Sequence, residues 1–116
     1  MNTVEILWRE QKYNVLFHSQ AYYNDIRGLM RDRASYEQVE RTIQKALEEI
    51  PTPGSMRNAI QHMWGYFKKI ATAEEKAQYE RLFHADDFSQ LLAYLKQLAH
   101  HYDVTYLIES RVLKDA

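Results

Sequence analysis

Apolar residues recur at helical spacing along almost the whole chain. The clearest case is the segment 53–71, where the apolar positions fall on one side of a helix: Met56, Ala59, Ile60, Met63, Trp64, Phe67 and Ile70. The same spacing predicts further helices over 3–17, 20–33, 36–49, 73–84, 87–101 and 104–114. The β-branched stretch 104–108 is the only candidate strand. The pattern therefore predicts an all-α fold, a compact single-domain bundle of six or seven short helices.

Capping residues mark where these helices begin. The residues expected to cap the second to seventh helices are Ser19, Ser35, Thr52, Thr72, Asp86 or Asp87, and Asp103. Two of them are followed three residues later by Gln38 or Glu75, which is the capping-box pattern. Pro51 forbids continuation of the third helix, and Pro53 suits the first turn of the fourth. Helices this short are not stable alone, so their packing must hold them.

Composition excludes several chemistries. The chain has 116 residues, a net charge of -1 and no cysteine, so it forms no disulfide, thiolate zinc site or iron–sulfur cluster and has no cysteine nucleophile. The five histidines show no metal-ligand spacing, and a phosphate loop is absent, so no metal or cofactor is expected. Apolar runs of about 20 residues are also absent. We expect one domain over 1–116 in the cytoplasm.

The polar face of the fourth predicted helix carries the first candidate site. It collects Asn58, Gln61, His62, Gly65 and Lys69, with Lys68 at its edge. A glycine within a helix costs about 1 kcal/mol relative to alanine. One interpretation is a dent that holds a planar polar ligand or a phosphate between amide, imidazole and ammonium groups. The other is a tight helix crossing at Gly65 with solvated polar neighbours.

The first two helices carry further candidate residues. Lys12 lies beside Trp8 and Tyr13, and it either extends to water along its own stem or is a partly buried cation that binds phosphate. His18 either interacts with a helix C-terminus or faces a pocket. Arg27 and Arg31 share one helix face. If helices one, two and four converge, these cations and aromatics would form an RNA-binding patch; a solvated charged face is the alternative.

Three segments resemble the YbgA family, a helical bacterial domain. They are LWREQKYNVLFHSQAYY at 7–23, NAIQHMWGYFKK at 58–69 and HYDVTYLIES at 101–110. The family's recurrent polar positions fall on Lys12, Tyr13, His18, Ser19, Asn58, His62, Gly65, Tyr66, Lys68 and Tyr106. The chain departs from the family pattern at Gln97, where a histidine is usual, and at Ser110, where a glutamine is usual. It also lacks a Pro-rich stretch and tail, so the resemblance implies a shortened member.

The resemblance also implies a function. In some bacterial proteins this domain is fused to an iron–sulfur desulfidase domain that removes sulfur from thiouracil or from 4-thiouridine in tRNA. A chain without cysteine cannot perform that reaction, so we expect an accessory domain that binds tRNA or a thiolated nucleoside, with a separate desulfidase or other protein as a possible partner. The expected ligand-binding residues are Lys12, Tyr13, His18, Asn58, Gln61, His62, Gly65, Tyr66 and Lys68. The expected phosphate-binding residues are Arg27, Arg31 and Lys69, and the residues available for stacking are Trp8, Tyr13 and Tyr66.

Two alternatives remain open at this point. The chain could be a small metal-independent enzyme acting on a modified base or nucleoside, with His62 as the acid–base group and Lys12 or Lys68 as the electrophilic partner. It could also be a protein-interaction module without a pocket. Convergence of Lys12, His62 and Lys68 on one concave site is the observation that separates these hypotheses.

Overall fold

The computed structural model describes every residue from Met1 to Ala116 and contains eight helices and no strand. The helices are α1 (Thr3–His18), α2 (Gln20–Arg31), α3 (Tyr36–Glu48), α4 (Pro53–Trp64), α5 (Ala73–His84), α6 (Phe88–His101), α7 (Thr105–Ile108) and α8 (Arg111–Lys114). The all-α bundle predicted from the spacing of apolar residues is confirmed. No helix combines the length and the apolar character needed to cross a membrane.

Two helices organise the bundle. α1 packs against α2, α3, α4 and α8, and α6 packs against α4, α5, α7 and α8. A single core of 22 buried residues runs between them, and Leu16, Phe67 and Leu95 are fully buried within it. Burying each such side chain contributes about 1.5 to 3 kcal/mol. The structure therefore depends on tertiary contacts between helices too short to be stable alone.

The predicted caps are present at five helix starts. The side-chain oxygens of Ser19, Ser35, Thr52, Thr72 and Asp87 each accept a hydrogen bond from a backbone N–H three residues later. At Thr72 the Glu75 carboxylate also accepts from the Thr72 N–H at 2.8 Å, which confirms that capping box. Ser35 caps α3, but its N–H donates no hydrogen bond to the Gln38 side chain, so the capping box predicted there is wrong. These bonds satisfy backbone donors that have no partner within the helix.

The fourth helix is shorter than predicted. α4 ends at Trp64 rather than at residue 71, because the N–H groups of Tyr66 and Phe67 bond to carbonyls only three residues earlier and tighten the chain into turns. This path places the Phe67 side chain entirely in the core. The prediction that Gly65 lies within a helix is therefore wrong: Gly65 is the C-terminal cap of α4.

The last predicted helix is divided in two. Residues 104–114 form α7 and α8, and Ser110 between them is fully buried, with its hydroxyl donating to the Tyr106 carbonyl at 3.0 Å. The candidate strand at 104–108 is helical. Asp103 is not the cap of α7; Val104 holds that position without a side-chain bond. Asp103 instead ends α6 in the left-handed conformation, with φ of 52°.

Candidate functional site

An open groove of about 630 Å³ lies between α4 and α5. One wall comes from α4 and the turn after it, and consists of Asn58, Gln61, His62, Gly65 and Lys68. The other wall comes from α5 and consists of Tyr79, Glu80, Phe83 and His84, with Trp64 between the walls. The volume is in the range of small-molecule sites. The structure thus brings together five of the residues that the sequence assigned to ligand binding.

The floor of the groove is aromatic. The rings of Trp64 and Tyr79 stack with 4.1 Å between centroids, and Phe83 continues the row at 5.6 Å from Tyr79. Trp64 and Tyr79 are buried, and burial raises the pKa of Tyr79 to about 12. The floor is therefore uncharged at neutral pH and presents apolar ring edges to the groove.

Hydrogen bonds orient the polar groups on the α4 wall. The Nδ1 atom of His62 lies 2.9 Å from the carbonyl oxygen of Asn58, and because a carbonyl only accepts, Nδ1 carries the hydrogen. The Nε2 atom of His62 is left free for a ligand. The Asn58 amide donates to the Gln20 side chain at 2.7 Å, which joins the groove to the start of α2.

Gly65 faces the groove. A Cβ atom placed on Gly65 would lie 3.1 Å from the His62 carbonyl oxygen and 3.8 Å from that of Gln61, and no atom of another helix lies within 4 Å of it. Gly65 therefore does not mark a tight helix crossing, which was one of its two sequence-based interpretations. Its missing side chain leaves the groove open at this point.

The rim of the groove contains one unpaired cation. Lys68 is exposed and forms no ion pair, whereas Glu80 lies 3.2 Å from Nε2 of His84 one turn along α5. No three histidine or acidic side chains in the chain are placed to share a metal ion. The available chemistry is hydrogen bonding by amides, imidazoles and the Glu80 carboxylate, with a single ammonium group for an anion.

Other predicted ligand residues lie outside this groove. Tyr66, next to Gly65, turns toward α1, and its hydroxyl lies 3.0 Å from the Tyr13 hydroxyl. Lys12 is half-buried near Arg27, and burial, followed by the Arg27 charge, lowers the pKa of Lys12. Lys12 therefore does not join His62 and Lys68, and the sequence-based set is divided between two places.

Two predicted residues are built into the scaffold. His18 binds the Glu49 carbonyl oxygen through Nδ1 at 2.8 Å, and so fastens the end of α1 to the connection between α3 and α4. Trp8 is buried and packs against Tyr23, with 5.8 Å between ring centroids. The buried Trp8 ring is therefore not available for stacking, whereas Tyr66 is 38% exposed.

The predicted phosphate ligands lie on two surfaces. Arg27 and Arg31 line an open depression of about 470 Å³ on α2, together with Asn24 and Gly28. Lys69 is exposed in the turn after α4 and does not line the groove. The α2 arginines are therefore a second basic surface, separate from Lys68.

Residues 12–115 match the family model described as Protein of unknown function (DUF1722). The chain belongs to this family. No curated protein and no solved structure matches it. The family description assigns no activity to DUF1722 domains, so the function of this one must be argued from its own residues.

Several residues of this DUF1722 domain were missed by sequence reasoning. The α5 wall consists of Tyr79, Glu80, Phe83 and His84, which follow helical spacing and share one face of α5. That spacing was visible in the sequence, but nothing in it indicated that this face meets α4. Arg9 and Tyr23 were also missed. They lie near Tyr106 and Arg27, respectively.

Proposed function

We propose that this domain is an accessory nucleic-acid- or nucleotide-binding module that holds a base in the groove between α4 and α5. The observation that carries the proposal is the placement of Asn58, Gln61, His62 and Lys68 around one groove with an aromatic floor. Amide and imidazole groups match the hydrogen-bonding edge of an unpaired base, and the ammonium group matches a phosphate.

The groove is connected to the basic surface of α2. Asn58 bonds to Gln20 at the first position of α2, and Arg27 and Arg31 lie two to three turns further along the same helix. At 1.5 Å per residue these arginines are about 10 to 16 Å from Gln20 along the axis. A strand whose base occupies the groove would therefore reach Arg27 and Arg31 with its phosphates.

The ligand class follows from the resemblance to the YbgA family. That resemblance favours tRNA or a thiolated nucleoside such as 4-thiouridine. Because the chain has no cysteine, we place sulfur removal in a separate desulfidase and assign this domain to recognition. It would present the nucleoside without changing it.

Tryptophan fluorescence tests occupancy of the groove directly. The chain has two tryptophans, so Trp8→Phe leaves Trp64 on the groove floor as the only indole. We expect 4-thiouridine or uridine to change the Trp64 emission in a saturable way. Labelled tRNA, with and without 4-thiouridine, should bind at about 50 mM salt and weaken steeply as salt increases.

Matched variants separate groove binding from general charge attraction. Gln61→Ala and His62→Ala change exposed groove residues, whereas Lys76→Ala removes an exposed cation of α5 that does not line the groove. We expect the first two to weaken nucleoside binding by about tenfold or more, and the last to leave it unchanged. A saturable nucleoside response that is identical in all three variants, or no response in any protein, would contradict the proposal.

An enzyme is the second candidate, and one observation favours it. His62 presents a free Nε2 in the same groove as Lys68, which is the pairing expected of an acid–base group and an electrophilic partner. Lys12, the other residue considered for the electrophilic role, does not line the groove. Turnover of a modified nucleoside that is lost in His62→Ala, with a pH dependence in the histidine range, would establish this function instead.

A further inference from the structure

A second group of polar side chains lies away from the groove, where α1, α2, α7 and the turn after α4 meet. We call it the tyrosine–cation cluster. Its members are Arg9, Lys12, Tyr13, Tyr23, Arg27, Tyr66 and Tyr106.

Three tyrosines form the centre of the cluster. The ring centroids of Tyr13, Tyr66 and Tyr106 are 6.0 to 6.3 Å apart in every pair. The Tyr13 and Tyr66 hydroxyls are 3.0 Å apart and share one hydrogen bond. One of these two hydroxyls donates to the other, so the second hydroxyl hydrogen is left for a partner outside the chain.

Other donors in the cluster also lack partners. The hydroxyls of Tyr23 and Tyr106 form no hydrogen bond within the chain. Arg9 Nε is the only buried side-chain nitrogen or oxygen atom without a partner, so the two hydroxyls must reach the surface. A buried donor without a partner costs about 1 to 3 kcal/mol, and such groups commonly mark a site for a bound molecule.

Positive charge exceeds negative charge in the cluster. The Arg9 guanidinium lies 5.2 Å from the centre of the Tyr106 ring, and its Nη2 atom pairs with Glu109 at 3.3 Å. Lys12 and Arg27 have no carboxylate within 4 Å. Burial, followed by the charge of Arg27, lowers the pKa of Lys12. Of the three cations, only Arg9 is paired with a carboxylate.

We propose that the tyrosine–cation cluster is a binding site for a phosphoryl group. The oxygens of a phosphoryl group accept hydrogen bonds. The unpartnered groups of the cluster are hydroxyl, guanidinium and ammonium donors. Burial raises the pKa of Tyr13, followed by its bond to Tyr66, so this phenol remains a hydrogen donor at neutral pH. Arg27 also lines the depression on α2, which provides space for the rest of the ligand.

This site shares Arg27 with the strand path proposed for the groove, but it does not depend on a base being bound there. It would bind phosphate even if the groove bound nothing. The groove variants Gln61→Ala and His62→Ala should leave phosphate binding at the cluster unchanged, so failure of either proposal can be recognised separately.

The side-chain N–H signals of the arginines test the site in the full chain. Inorganic phosphate is added at constant ionic strength, with chloride as the reference, while the Nε–H resonances of Arg9 and Arg27 are followed by NMR. We expect both signals to shift together and to saturate with a dissociation constant of about 1 to 10 mM. Shifts that chloride reproduces, or no saturable shift up to about 50 mM phosphate, would overturn the proposal.

Variants show which groups bind the ion. Lys12→Gln and Tyr13→Phe each remove one donor, and we expect phosphate affinity to fall about tenfold and severalfold, respectively. Lys76→Gln removes an exposed cation elsewhere and should have no effect. Helical circular dichroism confirms that each variant is folded. Equal affinity in wild type, Lys12→Gln and Tyr13→Phe would also overturn the proposal.

Two probes identify the source of the phosphoryl group. A phosphate monoester such as a nucleoside monophosphate tests a small metabolite, and a short single-stranded oligonucleotide tests a phosphodiester backbone. Competition with inorganic phosphate at the Arg9 signal by either probe supports the site, because only Arg9 lies outside the path proposed for a strand bound in the groove. Absence of competition by both, with phosphate itself failing to saturate, rejects it.

Discussion

The indole of Trp64 lies parallel to the phenol of Tyr79, with 4.1 Å between ring centroids and 4° between ring planes. Trp64 is the last residue of α4 and Tyr79 is in the middle of α5, so the stacked pair joins the two helices. α5 otherwise packs mainly against α6. Because the α4 and α5 backbones do not pack closely, a groove remains open between them, and the two rings set its width.

The stacked pair should be important for stability. Replacing Tyr79 with alanine removes the stack and leaves a cavity beneath the groove, so we expect the free energy of unfolding to fall by about 3 kcal/mol. Tyr79→Phe keeps the ring and should cost less than about 1 kcal/mol, because the hydroxyl forms no hydrogen bond within the chain. Urea denaturation measures both. Similar losses for the two variants would show that the hydroxyl, and not the stack, is responsible.

Buried phenols should make the protein sensitive to alkali. The pKa of Tyr79 is raised to about 12 by burial, and the pKa of Tyr13 is raised by burial and by its bond to Tyr66. Above about pH 10 the unfolded chain loses these protons while the folded chain keeps them, so stability falls as pH rises. Between pH 9 and about 11, the urea midpoint of Tyr79→Phe should decline less than that of wild type. Tyr36→Phe, at an exposed position, should behave as wild type.

Glycine should stabilise two helix ends. Arg33 and Asp103 adopt φ of 57° and 52° after α2 and α6, a region that disfavours residues with a Cβ. We expect Arg33→Gly and Asp103→Gly each to increase the free energy of unfolding by about 0.5 to 1 kcal/mol. Asp32→Gly is the matched control, since Asp32 has φ of -86° and should gain nothing. A gain in the control equal to that at Arg33 would contradict the conformational explanation.

The ion pair between Arg57 and Asp86 should contribute to acid sensitivity. Two hydrogen bonds of 2.9 and 2.7 Å join the side chains, and the bond from Arg57 lowers the pKa of Asp86. This stabilisation is present above the pKa of an unfolded aspartate, about 3.9, and is lost as pH falls through the folded value. Asp86→Asn tolerates the left-handed backbone at this position, and it removes the charge together with one of the two acceptor oxygens.

Thermal unfolding between pH 3 and 7 measures the effect of this ion pair. We expect Asp86→Asn and Arg57→Gln to show a smaller loss of stability below about pH 4 than wild type. Combining them should add nothing further, because both remove the same interaction. Arg41→Gln, which removes an exposed arginine that forms no ion pair, is the control.

A larger side chain at Gly65 should block the groove without unfolding the protein. A Cβ at this position lies 3.1 Å from the His62 carbonyl oxygen, so the turn must shift by a few tenths of an ångström, and beyond that contact Gly65→Leu would extend into open space. We expect the Trp64 fluorescence response to nucleosides to fall at least about tenfold, with a change of less than about 1 kcal/mol in stability. Ser89→Leu on the exposed surface of α6 controls for added hydrophobicity. Unchanged binding in Gly65→Leu would place the ligand elsewhere.

Local features were readable from the sequence. Ser19, Thr52 and Thr72 begin helices because each side chain needs only the backbone three residues away to form its bond. The polar face of α4 was likewise predictable, since Asn58, Gln61, His62 and Gly65 are placed by helix geometry alone. The end of α4 at Trp64 was not predictable, because Phe67 is buried as a continuous helix would also have it, and only Ile70, on the same predicted face, departs by being 51% exposed.

The residues of the candidate site likewise include some that the sequence predicted and some that only the structure revealed. The sequence placed Lys12 and Tyr13 with His62, because all three match one family pattern. In the structure Tyr13 bonds to Tyr66, and Lys12 lies near Arg27, while the groove acquires Tyr79 and His84 from α5. Which helix forms the second wall depends on contacts such as that between Trp64 and Tyr79, which are 15 residues apart in the chain, and no local pattern encodes them.

The sequence by itself determined the helical class, most helix starts and the polar face of α4, because these depend on residues within one or two turns of each other. Only the tertiary structure decided that this face meets α5 across the Trp64–Tyr79 stack, and that Lys12 and Arg9 gather with the tyrosines elsewhere. The reason is physical: local hydrogen bonds fix the helices, but the burial of side chains such as Phe67 and Trp64 fixes their arrangement.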